Sequence, residues 1–153
     1  MHGDHMYQKI LLAYDGSDSG QEALLQGADL ALLTKARIYL LAAIFLEPGV
    51  VAAEAAAPSG LPWEEREAIS KVLMEGAESL RKMGLAVETF LRVGSPTEQI
   101  DLVAREVDAD LIVIGHRDRT PFARWWGGSV GMSLLGHAHC SILIAVGQEL
   151  SLK

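Results

Sequence analysis

The 153-residue sequence holds one cysteine, Cys140, so no disulfide can close within a chain and no thiolate zinc site can be built from it. A reducing compartment fits that composition. No apolar run reaches the ~18 residues of a membrane span, and the start, MHGDHMYQK, has neither the basic n-region nor the apolar h-region of a signal peptide. A soluble, cytoplasmic protein with no membrane partner is expected. Basic residues are the minority, thirteen against twenty acidic, which leaves a net charge of −7 and no electrostatic footprint for a phosphate backbone. Nucleic acid is not expected as the main partner. Repeats of fixed period and composition-shifted linkers are missing too, and the length is close to the ~150 residues of one domain. One domain over 7–147 is expected, with a flexible N-terminus at 1–6 and a tail at 148–153.

What is present is apolar residues, half of the chain, enough for a well-filled core. Five strand-like and four helix-like segments alternate. Ile10 to Tyr14 is a continuous apolar run ending in Asp15-Gly16-Ser17, as in a strand buried on both faces that stops at a turn. Ser19 and Glu22 have capping-box spacing, and Leu24, Ala28, Ala31 and Leu32 recur at helical intervals to about Thr34. Ile38 to Phe45 reads as a second central strand. The Ala-, Gly- and Pro-rich residues 46–62 read as a mobile loop, expected to close over a pocket beside strand two.

After Pro62, residues Ile69, Val72, Leu73, Ala77, Leu80 and Met83 form a helical stripe that ends before Gly84. Leu85 to Val93 alternates, with Glu88 and Arg92 on the face expected to reach solvent, which predicts an edge strand. Ser95-Pro96-Thr97-Glu98 combines an N-cap serine, proline at the first helical position and a glutamate placed to complete a capping box. Leu111 to Ile114 and Ile142 to Val146 complete the strands, with a short helix between about Ser129 and Leu135. The alternation predicts an α/β fold with a single doubly wound parallel sheet and helices on both faces.

Ligands of such sheets bind beyond the carboxyl ends of the strands, and two segments lie there. The first is Asp15 to Gly20, where small residues allow close approach and Asp15 can accept hydrogen bonds from a ribose or a base amine. From local physics alone an ordinary strand-to-helix turn with a capping residue is the better reading, and the segment matches neither GxGxxG nor GxxxxGK[ST]. The second runs from Gly115 to Ser129 and carries Arg117, Arg119, Arg124, Trp125 and Trp126. Backbone amides at Gly128 and Ser129, the Ser129 hydroxyl and the positive end of the next helix would form an anion site suited to phosphate. A solvated basic loop anchored by its tryptophans is the competing reading.

ILLAYDGSDSG near the N-terminus, and LIVIGHRDR through GGSVGMSLLGHAHCSILIAV, resemble the universal stress protein family over about Tyr7 to Val146. The resemblance implies a five-stranded sheet of order 3-2-1-4-5, of the kind shared with adenine nucleotide alpha hydrolases, and a homodimer; the apolar edge that Ile142 to Val146 would otherwise leave unpaired puts the expected pairing at strand five. In one subgroup it implies ATP or another adenine nucleotide, with Mg. ATP-binding members carry glycine, two residues, glycine, nine residues, then glycine and serine or threonine. Gly115, Gly128 and Ser129 match at the right distances, and Asp118 stands in place of the middle glycine. By the same resemblance Asp15 faces the nucleoside; the adjoining Gly16 is a candidate as a small residue that allows close approach. Ala43 offers backbone groups to adenine, Gly115, Gly128 and Ser129 carry over as phosphate contacts, and Asp118 carries over as a position without its usual residue; Val130 is counted in the site beside Ser129, with Arg117 and Arg119 added on local charge. A carboxylate ~4 Å from a phosphate repels it by about 1–4 kcal/mol, so weakened nucleotide binding is expected.

His137 and His139 lack a third ligand in sequence, and exposure at a helix end accounts for them better than a metal does. Cys140 reads as a small core hydrophobe ahead of a buried strand. No catalytic residue emerges, although slow nucleotide hydrolysis stays open. An ATP-pyrophosphatase would need an SGGxDS-type loop that DGSDSG does not supply, and a phosphorelay receiver would need an aspartate where strand three ends in Val93-Gly94. Two readings lead. One is a small stress-response protein binding an adenine nucleotide or related phosphorylated ligand; the other is a family member that binds none and acts by dimerisation and protein association.

Overall fold

The computed structural model describes residues 6–16, 18–44, 63–116 and 134–146. Its elements run β1 (Lys9–Ala13), α1 (Asp18–Thr34), β2 (Arg37–Ile44), α2 (Trp63–Lys82), β3 (Val87–Val93), α3 (Pro96–Val107), β4 (Leu111–His116) and β5 (Ser141–Val146), with a helical turn at 134–137 ahead of β5. The strands form one parallel sheet of order β3-β2-β1-β4-β5. The expected α/β class, strand number and order are all observed.

Right-handed crossovers decide which face each helix takes. From β1 the chain steps outward to β2 and β3, then returns to the other side of β1 for β4 and β5, so the crossover direction reverses once. Helices α1 and α2 therefore share one face, and α3 lies on the other. The buried side chains sort accordingly. Ile10, Leu12, Tyr14, Ile38 and Leu40 pack with Leu24, Ala28 and Ala31 of α1 and with Leu73, Ala77 and Leu80 of α2. Leu11, Ala13, Leu41, Ile112 and Ile114 pack on the opposite face with Ile100, Val103 and Ala104 of α3 and with Leu134. This two-sided burial is the reason β1, β2 and β4 read as unbroken apolar runs.

Several local expectations are corrected. Helix α1 begins at Asp18, so Ser19 lies inside it and not at its N-cap; Glu22 accepts from the Gln26 Nε2 amide at 3.2 Å. Leu32 is half exposed because it sits about 80° round the helix from Leu24, on the flank of the stripe facing the sheet. Met83 lies past the end of α2 and is exposed; Leu85 is buried in its place, its N–H donating to the Leu80 carbonyl. β3 is an edge strand as expected, yet its charged face is partly covered. Phe90 stands 6.3 Å from Tyr39 between ring centroids, and Arg92 pairs with Glu106 of α3 at 3.0 Å. Ser95 is the N-cap of α3 with Pro96 after it, but its side chain makes no capping bond and the capping box with Glu98 does not form. β4 extends to His116, which places Gly115 in the strand, paired with Ala145, rather than in the loop. β5 is an edge strand with only Ala145 buried, so Cys140 precedes a half-exposed strand. Residues 46–62 and most of 129–135 lie outside the described residues.

α1 approaches the sheet closely because position 27 is glycine. A Cβ there would fall within the van der Waals envelope of Leu12 Cδ2, and Leu12 is fully enclosed. Gly27→Ala improves helix propensity by about 1 kcal/mol but overpacks the core at a cost of about 1–3 kcal/mol. Urea denaturation is expected to show net destabilisation; a more stable Gly27→Ala would mean that α1 can lift from β1 without cost.

Candidate functional site

At the carboxyl ends of the strands β1 stops before its neighbours do. Its register with β2 ends at Ala13↔Leu41, whereas β2 continues to Ile44 beside β3. The Tyr14 N–H still donates to the Leu41 carbonyl at 2.9 Å, after which the chain turns away through Gly16 at φ +82°. Backbone groups two residues apart in a strand point to the same side. Leu41 faces β1, so the N–H and C=O of Ala43 face the space that β1 has vacated. The Ile44 carbonyl points the other way, accepting from the Gly94 N–H at 2.9 Å. On the far side, the Leu12↔Val113 pairing continued by two residues sets Gly115 level with Tyr14. Asp15, Gly16, Ala43 and Gly115, four of the residues singled out from the sequence, thus meet at one crevice, where strand order reverses.

Tyr14 and two glycines set the floor of that crevice. The Tyr14 ring is buried against α2, where a Cβ at Gly76 would come within 2.7 Å of its Cε2 atom. Its hydroxyl accepts from the Gln21 Nε2 amide of α1 at 2.6 Å. Burial, reinforced by the charges of Asp15 and Glu75, raises the Tyr14 phenol above 10.0, so it is neutral at physiological pH. Gly16 leaves space for Val72 of α2, whose Cγ1 would lie 2.8 Å from a Cβ at that position. Neither Tyr14 nor Gly76 was singled out from the sequence. The one available signal was a hydroxyl-bearing aromatic as the last residue of an otherwise aliphatic run.

Arg117, Asp118, Arg119, Arg124, Trp125, Trp126, Gly128, Ser129 and Val130 lie outside the described residues, as does the side chain of His116. At the opposite end of the sheet a cleft of about 310 Å³ is lined by Gln8, Lys9, Asp108, Asp110, His139 and Cys140. The Asp110 carboxylate there accepts from the Gln8 and Lys9 N–H groups at 2.9 and 3.1 Å, tying β1 to the turn before β4. Cys140 is half-buried, and burial followed by the nearby Asp110 charge pushes its thiol up. His137 ends the helical turn, its carbonyl accepting from Arg105 at 2.7 Å, and His139 follows it. Among the described residues no three His, Cys, Asp or Glu side chains converge as metal ligands, and no helix is long and apolar enough to cross a membrane.

Residues 6–145 match the family model described as the universal stress protein family. A universal stress protein of Methanocaldococcus jannaschii is 32% identical over 93% of this chain and 84% of that protein. Among solved structures, a universal stress protein in complex with cAMP superimposes with a TM-score of 0.66 at 26% identity, covering 91% of this chain and 96% of that one. The universal stress protein from Archaeoglobus fulgidus in complex with dAMP gives 0.66 at 25% identity, covering 91% and 98%.

The Tyr14 environment has a consequence for alkaline stability. A phenol whose pKa is raised by folding keeps its proton more tightly in the native state, so stability is full below pH 10.0 and falls as pH rises through the raised value. Denaturant titrations between pH 8 and about 11.5 are expected to show that decline in the wild type and a shallower one in Tyr14→Phe. Equal slopes would place the alkaline sensitivity elsewhere.

Proposed function

Because the chain belongs to the universal stress protein family, we propose that it binds an adenine nucleotide at the crevice between β1 and β4. The observation that carries the reading is the early end of β1, which leaves the Ala43 N–H and C=O side by side and directed to the side where β1 has ended. A donor and an acceptor in that arrangement complement the adenine edge, whose ring nitrogen accepts and whose exocyclic amine donates. The alanine side chain takes no part. Asp15, next to this edge, supplies a carboxylate for a ribose hydroxyl. The glycine and serine of Gly128-Ser129 would hold phosphate with help from Arg117, Arg119 and Arg124, and Mg would offset phosphate charge when bound. Relatives in complex with cAMP and dAMP support an adenine ligand.

Asp118 opposes the phosphate end of this site. Its carboxylate would compete with phosphate for the same amide groups at the helix start and repel the bound anion. ATP is therefore expected to bind weakly, and Asp118→Gly to bind it more tightly by about 1–3 kcal/mol, roughly five- to 150-fold. Asp15→Ala is expected to weaken both ATP and AMP. Calorimetric titration decides the matter: equal affinity in wild type and Asp118→Gly would point Asp118 away from phosphate. Absence of binding in both would leave association with other proteins as the better function.

We also propose that two chains pair through β5. Among the described residues no strand pairs with its outer edge, Ile144 and Val146 are 38% and 61% exposed, and antiparallel pairing of two such edges would remove both. Sedimentation equilibrium at tens of micromolar is expected to give twice the chain mass of 16.5 kDa. A mass of one chain, or a dimer that survives charge substitution at Ile144, contradicts this pairing.

A further inference from the structure

Gly20 stands in the first turn of α1, where glycine is a poor choice by helix propensity. Its backbone does not adopt the positive φ that Gly16 adopts, so its conformational freedom is not in use. What the position requires is space. A Cβ at residue 20 would lie 2.7 Å from Asp15 Oδ1, 3.3 Å from Tyr14 Cδ1 and 3.4 Å from the Asp15 nitrogen. The Asp15 carboxylate therefore rests against the first turn of α1, in the volume an ordinary side chain would fill.

We propose that Gly20 is a positioning residue for the Asp15 carboxylate, and through it for the nucleoside end of the bound ligand; the second half rests on the nucleotide reading above. The surroundings determine which atom yields when that volume is filled. Tyr14 is held by its hydroxyl bond to the Gln21 Nε2 amide of α1, by its N–H bond to Leu41 and by its ring against Gly76. The two longer contacts are tight but tolerable. The atom met most closely is the end of the Asp15 side chain, half-buried and carried on a rotatable bond, so filling that volume displaces the carboxylate first. A side chain at position 20 thus turns Asp15 out of its place and leaves the fold standing, since alanine's better helix propensity offsets the crowding. Hydrogen bonds to a carboxylate depend on direction as well as distance, so the displaced group no longer meets the same ligand atom.

The test uses Gly20→Ala, Asp15→Ala and the double variant. In the ligand-free proteins, three-bond couplings measured by NMR report the Asp15 χ1 rotamer, and thermal unfolding reports stability. Gly20→Ala is expected to change the rotamer distribution while keeping the unfolding midpoint of the wild type. An unchanged rotamer, or an unfolding midpoint that collapses, overturns the proposal, because the backbone and not the carboxylate would then have given way. ATP titration supplies the functional arm. Gly20→Ala is expected to weaken ATP by about tenfold in the wild-type background and not at all in the Asp15→Ala background. Full weakening in both backgrounds also overturns it, since Gly20 would then act without Asp15. If the wild type binds no ATP, the nucleotide reading fails by itself, and the rotamer measurement still decides whether Gly20 positions Asp15.

Discussion

The crevice depends on how the end of β1 is wedged between two helices. Tyr14 fills the space at that end, its ring lying on Gly76 of α2, its hydroxyl held by Gln21 of α1 and its N–H held by Leu41 of β2. Each contact comes from a different element. Because all of them meet in one residue, the chain leaves the sheet at a defined place, and the turn through Asp15 and Gly16 has little freedom to drift. A net contribution of about 1 kcal/mol from each such hydrogen bond is modest. Its structural effect is larger, since it sets where β1 ends relative to β2 and therefore which backbone groups of β2 are left facing the crevice.

The two ends of the sheet are built for different tasks. At the amino ends the backbone is closed off: Asp110 accepts from Gln8 and Lys9, the Asp110 N–H donates to the Lys9 carbonyl, and the Arg37 N–H donates to the Gln8 carbonyl. At the carboxyl ends β1 withdraws, small residues line the gap, and the first turns of α1 and α3 bring the positive ends of two helix dipoles to the same side. Those dipoles would favour the negatively charged ligand proposed for that end, even though the chain as a whole is acidic. Local dipoles and amides act at short range, whereas the net charge of −7 acts at distances where salt screens it.

Much of the architecture was legible because it follows from burial. β1, β2 and β4 are enclosed on both faces and read as apolar runs, and the helices between them show a clear stripe, so element order and sheet class could be read directly. The strand order came from resemblance to a family, since periodicity does not say which strands are neighbours. Residues whose role depends on tertiary fit were harder to see. Leu32 looked like a stripe residue until the helix axis set its flank outward. The Ser95 box was plausible in spacing and did not form. Phe90 showed that a strand face bearing Glu88 and Arg92 can still be covered. At the site, Asp15, Gly16, Ala43 and Gly115 were named from motif positions, while Tyr14, Gly20 and Gly76 were not, because close approach leaves no local pattern beyond a glycine in a helix.

The central claim is that an adenine base meets the Ala43 backbone at the carboxyl end of the sheet. The most direct measurement is an amide 1H–15N correlation spectrum followed while AMP is added, since AMP carries the base with a single phosphate. The account predicts that the Ala43, Gly16 and Gly115 amides shift together, along one saturation curve, while those of Lys9, Asp110 and Cys140 at the other end stay in place. Shifts confined to the Lys9–Asp110 end, or saturation with Ala43 unmoved, would contradict it.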